Sequence, residues 1–207
     1  SDVCSSDLTQ RWGAQVSLAG AVYDEAFEEA TRLAEKHGYL FVHPFRDTAV
    51  MAGQGTIALE LMEDPLFASV QAVVVPIGGG GLAVGVATAL RELKPGIKIY
   101  GVMPSSAGAT FKSFLAKQPI TDDVKHTLAE GTAFKRPDAT MLQLLQDRLD
   151  GAYELGEESI AHAISVLGEH GKLVVEGSGA LGVAAVLEKK IPEGKIARSE
   201  EHTSELQ

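Results

Sequence analysis

Val73-Val74-Val75-Pro76-Ile77 runs directly into Gly78-Gly79-Gly80-Gly81-Leu82, and the chemistry this junction offers is anion binding. A β-branched apolar run, a burst of glycines and the helix-like stretch Leu82–Leu93 read as a buried strand, a tight loop and a helix start. Four residues without Cβ let the backbone come within hydrogen-bond reach of a ligand. Their N–H groups can turn toward one point, and the helix start adds the positive end of its dipole. A plain βα turn needs only one or two glycines, and each glycine in regular structure costs about 0.5–1 kcal/mol relative to alanine. A phosphate, seated where open α/β sheets bind their ligands, is the expected guest.

Gly78-x-Gly80-x-x-Ala83 also satisfies the dinucleotide fingerprint, so a nicotinamide- or flavin-binding domain is the first rival. That fingerprint wants an acid about 20 residues on to hold a ribose. The position falls on Met103-Pro104-Ser105-Ser106, with neither acid nor arginine, which argues against a dinucleotide. A second glycine turn, Glu176-Gly177-Ser178-Gly179-Ala180-Leu181-Gly182, spells the same pattern; standing alone it is better explained by close strand-to-helix packing. Ser178 is no nucleophile elbow, because Glu176 rather than glycine stands two residues before it. The histidines His37, His43, His126, His162 and His170 show no metal-ligand spacing, and only His43 ends a strand where ligands bind. Gly53-Gln54-Gly55 interrupts a helical pattern and is best explained by close helix packing.

The elements that must carry these residues follow from periodicity. Ala14–Leu18 reads as a strand, Tyr23–His37 as a helix with Phe27, Ala30, Leu33 and Ala34 on one face and Gly38 closing it, and Leu40–Val42 as the next strand. Asp47 or Thr48 can cap a helix running to Met62. After the glycine loop and its helix come a Lys94-Pro95-Gly96 turn, a strand over Lys98–Met103 and a helix over Thr110–Lys117. Pro119–Lys135 has no clean period and is expected to be a loop crossing the surface or a site. Thr140–Leu149 reads as a helix, Ala152–Leu155 as a strand, Glu157–His170 as a helix, Leu173–Val175 as a strand and Ala180–Lys190 as a helix. Alternation throughout predicts an α/β fold, a doubly wound parallel sheet of βαβ units.

Both termini are set apart. Arg198–Gln207 is the translation of a sequencing-library adapter and Ser1–Leu8 that of its reverse complement, so residues 1–8 and 198–207 are expected to be read-through artefacts. The natural segment is then 9–197, an internal fragment. Its net charge stays negative, as the whole chain's −10 does, which argues against nucleic-acid or anionic-membrane surfaces. The one cysteine, Cys4, lies in the adapter, leaving no disulfide or thiolate metal site. Ala72–Leu90 carries no charge and is long enough to suggest a membrane span, but Pro76 and the glycines divide it into strand and helix.

Taken together, His43-Pro44-Phe45, Ala52-Gly53-Gln54-Gly55-Thr56-Ile57-Ala58-Leu59-Glu60, Pro76-Ile77-Gly78-Gly79-Gly80-Gly81-Leu82 and Glu176-Gly177-Ser178-Gly179-Ala180 closely resemble the threonine/serine dehydratase family. These are pyridoxal-phosphate enzymes of the tryptophan-synthase-β-like fold (fold type II), a family that also holds serine racemases. The resemblance implies that Gly78, Gly79, Gly80 and Gly81, with the N–H of Leu82, grip the cofactor's phosphate. It further implies that Gly131 lies beside the pyridoxal ring and Glu176 near the ring's edge. Residues 9–46 would end a small domain and 47–197 form most of a large cofactor-binding domain. The implied reaction removes the β-hydroxyl of L-threonine or serine as water and yields ammonia and a 2-oxo acid, 2-oxobutanoate from threonine. A cytoplasmic homo-oligomer, dimer or tetramer, acting in amino-acid metabolism such as isoleucine biosynthesis is expected.

Departures from the pattern matter as much. The family's Schiff-base lysine sits in a Ser-Phe-Lys-x-Arg-Gly type segment, its substrate-carboxylate loop in a Ser-x-Gly-Asn-His segment and its pyridine-nitrogen partner in a Ser-Gly-Gly-Asn type segment; none is present. No lysine here matches the catalytic motif, neither Lys112 nor Lys135, so this chain by itself is expected to be catalytically silent. Some members, notably racemases, bind a divalent cation through a glutamate before the proline and an aspartate further on. This chain has Met103 before Pro104, then Gly108 and Ala109, which predicts no metal site and favours a threonine dehydratase over a racemase. A dinucleotide-binding domain, or a non-catalytic phosphate-binding remnant, is the alternative from another class.

Overall fold

The computed structural model describes residues 8–20, 23–192 and 196–198. It divides into two compact units, Ser1–His43 and Pro44–Gln207. In the first unit α1 (Tyr23–His37) packs an aromatic group, with the Phe27 ring 5.6 Å from Phe41 and 5.4 Å from His43. Gly38, at φ +69°, turns the chain out of the helix as its sequence position predicts.

Two expected strands do not form here. Ala14–Leu18 and Leu40–Val42 have no regular structure, and no strand pairs with them among the described residues. An apolar β-pattern becomes a strand only when another backbone receives its N–H and C=O groups; Leu18, Leu40 and Val42 instead stay exposed.

The second unit holds a four-stranded sheet in the order β3-β2-β1-β4, every pair parallel: β1 (Ala72–Pro76), β2 (Lys98–Pro104), β3 (Gly151–Leu155) and β4 (Ile196–Arg198). Around it pack α2 (Thr48–Glu63), α3 (Gly81–Leu93), α4 (Ala109–Ala116), α5 (Ala139–Arg148), α6 (Glu157–Val166) and α7 (Gly177–Leu187). The final turn of α6 widens into a π-helical segment, Leu167–Gly171. Leu173–Val175, expected as a strand, contributes only an isolated bridge at Val175, and Leu173 and Val174 remain exposed.

Strand periodicity of two explains the two cores. Val73, Val75, Ile99 and Met103 point to one face, where Ala58, Leu82, Val86, Leu90, Met141 and Leu145 of α2, α3 and α5 close over them. Val74, Tyr100, Val102 and Leu155 point to the other, against Ile160, Ala163, Ala180, Leu181 and Ala184 of α6 and α7. The sheet is therefore buried on both faces, as a parallel sheet must be.

Chain order makes this winding double. From β1 the chain moves through β2 to β3 with its connecting helices on the first face; it then returns through α6 and α7 on the second face to β4, on the far side of β1. The direction of winding reverses between β1 and β4. The loop Gly78–Gly81 leaves β1 at that reversal, the place where open α/β sheets leave a crevice. The uncharged stretch Ala72–Leu90 is divided into β1 and the first part of α3, and no helix among the described residues is long and apolar enough to cross a membrane.

Candidate functional site

The loop after β1 is shaped by what crowds it. Gly80, the residue before α3, sits at φ +94°, a backbone conformation that side chains disfavour, and offers no side-chain cap. The first intrahelical bond is Val84 N–H to Gly80 O at 2.9 Å, so no helix carbonyl is available to the N–H groups of Gly81, Leu82 and Ala83. These donors, with the positive helix end, make the start of α3 an anion site.

Aromatic rings and a short turn hold the loop in place. A Cβ on Gly79 would stand 2.4 Å from the Phe45 ring, and one on Gly81 2.8 Å from Phe45 Cα. Phe45 meets Phe134 edge-on at 5.4 Å. On the other side, a Cβ on Gly78 would come within 2.9 Å of both Gly131 O and Phe134 Cε2, so the loop lies directly against the turn Glu130–Thr132. That turn is stiffened internally by Thr132 Oγ1 donating to Ala129 O at 2.8 Å and Ala129 N–H donating to Thr127 Oγ1 at 3.1 Å.

The second glycine turn arrives at the same turn from the other face. A Cβ on Gly177 would lie 2.1 Å from Leu128 O, so the close packing foreseen there exists, but against this loop rather than a strand. A Cβ on Gly131 would stand 3.0 Å from Ser178 Oγ and 3.4 Å from Glu176 Oε1. Glu176 is the residue before α7, and its side chain makes no capping bond. The structure thus brings Gly78, Gly131 and Glu176 into one neighbourhood, with Gly79, Gly80, Gly81 and the buried Leu82 continuing from it.

Other candidates fall elsewhere. His43 stands among aromatic rings of the first unit, 5.4 Å from Phe27 and 6.0 Å from Phe41. Lys112 is ion-paired with Asp122, which raises the pKa of the ammonium. Gly55 does serve helix packing: a Cβ there would stand 3.2 Å from Gly85 O, whereas Gly53 faces open space. Met103 and Ala109 are both buried, and no cluster of three or more potential metal ligands occurs among the described residues.

Some participants were not foreseen from sequence. Phe134 carried no signal, and Phe45 entered only as part of the His43-Pro44-Phe45 motif; the contacts of both with the loop are steric. Ser178 Oγ is buried without a hydrogen-bond partner among the described residues. Glu157 accepts the N–H of Leu128 at 2.7 Å and the hydroxyl of Ser106, tying the end of β2 and the start of α6 to the loop that carries Gly131. Burial alone would raise the Glu157 pKa; the bonds from Ser106, Leu128 and Thr127 overcome it and hold the carboxyl below its usual range.

A doubly wound parallel sheet whose winding reverses beside an uncapped, side-chain-free helix start is the architecture with which α/β proteins hold phosphorylated ligands. The chain belongs to the pyridoxal-phosphate dependent enzyme family, whose description matches residues 5–199. It is 46% identical over 187 residues to an L-threonine ammonia-lyase of Thermotoga maritima, covering 90% of this chain and 46% of that protein. It is 38% identical to a catabolic L-threonine dehydratase of Staphylococcus aureus, covering 88% of this chain and 52% of the relative. The chain therefore spans about half the length of the curated relatives it matches.

Solved structures agree on the fold. The T.th. threonine deaminase superposes with TM-score 0.85 at 34% identity, covering 95% of this chain and 65% of that one. The serine racemase of Dictyostelium discoideum superposes with TM-score 0.83 at 27% identity, covering 100% and 67%. The fold is that of the fold type II pyridoxal-phosphate enzymes. The residues present fit such a group: a cradle of N–H groups without helix acceptors suits its phosphate, and a buried hydroxyl lies one short turn away.

Proposed function

We propose that the complete protein carrying this chain is a pyridoxal-phosphate-dependent threonine ammonia-lyase, removing water from L-threonine and releasing 2-oxobutanoate and ammonia. The observation that carries the reading is the run of N–H groups at Gly81–Ala83 that no helix carbonyl receives, in a chain whose relatives at 38–46% identity are named for threonine deamination.

In this reading the N–H groups of Gly78, Gly79, Gly80, Gly81 and Leu82 hold the phosphate, the Gly131 backbone lies along the ring and Glu176 stands at its edge. When bound, pyridoxal phosphate supplies an electron sink for charge developing at the substrate's α-carbon. The protein's task is to fix that ring and exclude water, which Phe45 and Phe134 support by packing over the loop. The lysine that takes the α-proton lies in sequence outside these residues, as do the substrate-carboxylate loop and the pyridine-nitrogen partner. Residues 9–46 are then the end of a small domain and 47–197 the truncated large one, in a cytoplasmic homo-oligomer whose threonine turnover serves amino-acid metabolism.

A serine dehydratase or racemase is the second reading, favoured by the superposition on serine racemases at 27% and 28% identity. Following 2-oxobutanoate from L-threonine and pyruvate or D-serine from L-serine separates the two. The complete protein should turn over threonine faster than serine, only with pyridoxal phosphate, and without activation by magnesium. Absence of threonine turnover would overturn the proposal. The 207-residue chain alone, supplied with the cofactor, should release no ammonia; turnover by it would show that its own residues include the catalytic lysine.

A further inference from the structure

Ser178 is the polar side chain of this neighbourhood that the proposed reading leaves without a task. It stands in the first turn of α7, only 4% exposed, and its Oγ has no hydrogen-bond partner among the described residues. Burying a hydroxyl unpaired is unfavourable, so such an atom in a folded protein calls for a ligand or a water.

The surroundings point the same way. The first intrahelical bond of α7 is Ala180 N–H to Glu176 O at 3.1 Å, so the N–H groups of Gly177, Ser178 and Gly179 have no helix carbonyl, and no side chain caps them. Ser178 Oγ lies 3.0 Å from the point where a Cβ on Gly131 would stand, so a side chain at 131 would crowd the hydroxyl and glycine leaves room beside it. The carbonyl of the same Gly131 lies 2.9 Å from the corresponding point on Gly78. One short turn separates the hydroxyl from the phosphate cradle. A free phosphate would need only the cradle; a phosphorylated ring with polar atoms is oriented by a further polar group beyond it.

We propose that Ser178 is a ligand-binding residue whose hydroxyl hydrogen-bonds a polar ring atom of the phosphorylated pyridine that the glycine loop holds by its phosphate. This rests on the pyridoxal-phosphate reading above and adds the residue that distinguishes the ring from phosphate alone. The backbone donors of the glycine loop read charge; Ser178 reads what the charge is attached to.

Calorimetric titration of the 207-residue chain and its Ser178→Ala variant, each with pyridoxal phosphate and with inorganic phosphate, tests this. The variant should bind pyridoxal phosphate about 3–10-fold more weakly, the effect of one hydrogen bond, with phosphate affinity unchanged. Equal pyridoxal phosphate affinity in both proteins would overturn the inference, water being the partner of Ser178, and leave the reading of the cradle standing. Equal weakening of both ligands would also overturn it, since Ser178 would then act through the fold. Binding of neither ligand by the parent would overturn the cradle and the inference together. The unliganded variant should melt no lower than the parent, because no bond within the fold is lost; a drop of several degrees would contradict the assignment.

Discussion

Glu157 and Asp150 show how single carboxylates hold this molecule's loops. Glu157 fastens the loop before Gly131 through Leu128 N–H, while Asp150, at the entrance to β3, receives Arg91, Lys98 and the N–H of Ile99 at 2.7–2.9 Å. Burial would raise the Asp150 pKa, but the Lys98 bond, the Ile99 N–H and the Arg91 bond together depress it. Both groups therefore have folded pKa values below their unfolded ones. Their contribution is fully present above the unfolded values, about 4, and is lost as pH falls through the folded ones. Asp150→Asn should cost about 1–3 kcal/mol at neutral pH and flatten the acid limb of a stability-versus-pH curve followed by urea unfolding. Glu157→Gln should cost about 1 kcal/mol by the same measurement, with a smaller change in acid slope. Curves parallel to the parent's would show that neither carboxylate is coupled to folding through these bonds.

At the scale of elements, the contact between α2 and α3 sets how closely the cradle's helix can sit. A Cβ on Gly85 would stand 2.2 Å from Met51 O and 3.1 Å from Gly55 N, so the two helices touch backbone to backbone. Gly85→Ala should therefore destabilise by about 1–3 kcal/mol through forced separation of the helices. Gly53→Ala, on the same helix as Gly55 but facing open space, should stabilise by about 0.5–1 kcal/mol through helix propensity alone. Thermal melts of the two variants moving in the same direction would contradict this packing. Helix boundaries were legible because their signals are local: Asp47 Oδ1 accepts Ala49 N–H at 2.8 Å, and Asp138 Oδ1 accepts Thr140 N–H at 2.9 Å. Ala14–Leu18 and Leu40–Val42 were misread for the opposite reason. Their apolar patterns state a β preference, but a partner strand is a non-local fact.

Across the whole molecule, the strand-helix rhythm announced a doubly wound sheet, and the glycine run marked the end of the strand from which winding reverses. The fold class and the cradle could be read because both are written in contiguous residues. The rest of the neighbourhood is not written in local pattern: Phe45 and Gly131 entered only through the family resemblance, and Phe134 and Ser178 are brought there from distant points in the chain by packing. The orphaned Ser178 hydroxyl in particular is visible only once burial is known. The proposed function depends on what occupies the start of α3. A crystal structure of the protein grown with pyridoxal phosphate should show the phosphate oxygens about 2.7–3.2 Å from N–H groups of the Gly78–Leu82 loop. Cofactor bound elsewhere, or a loop left without a phosphate while the cofactor is held, would contradict it.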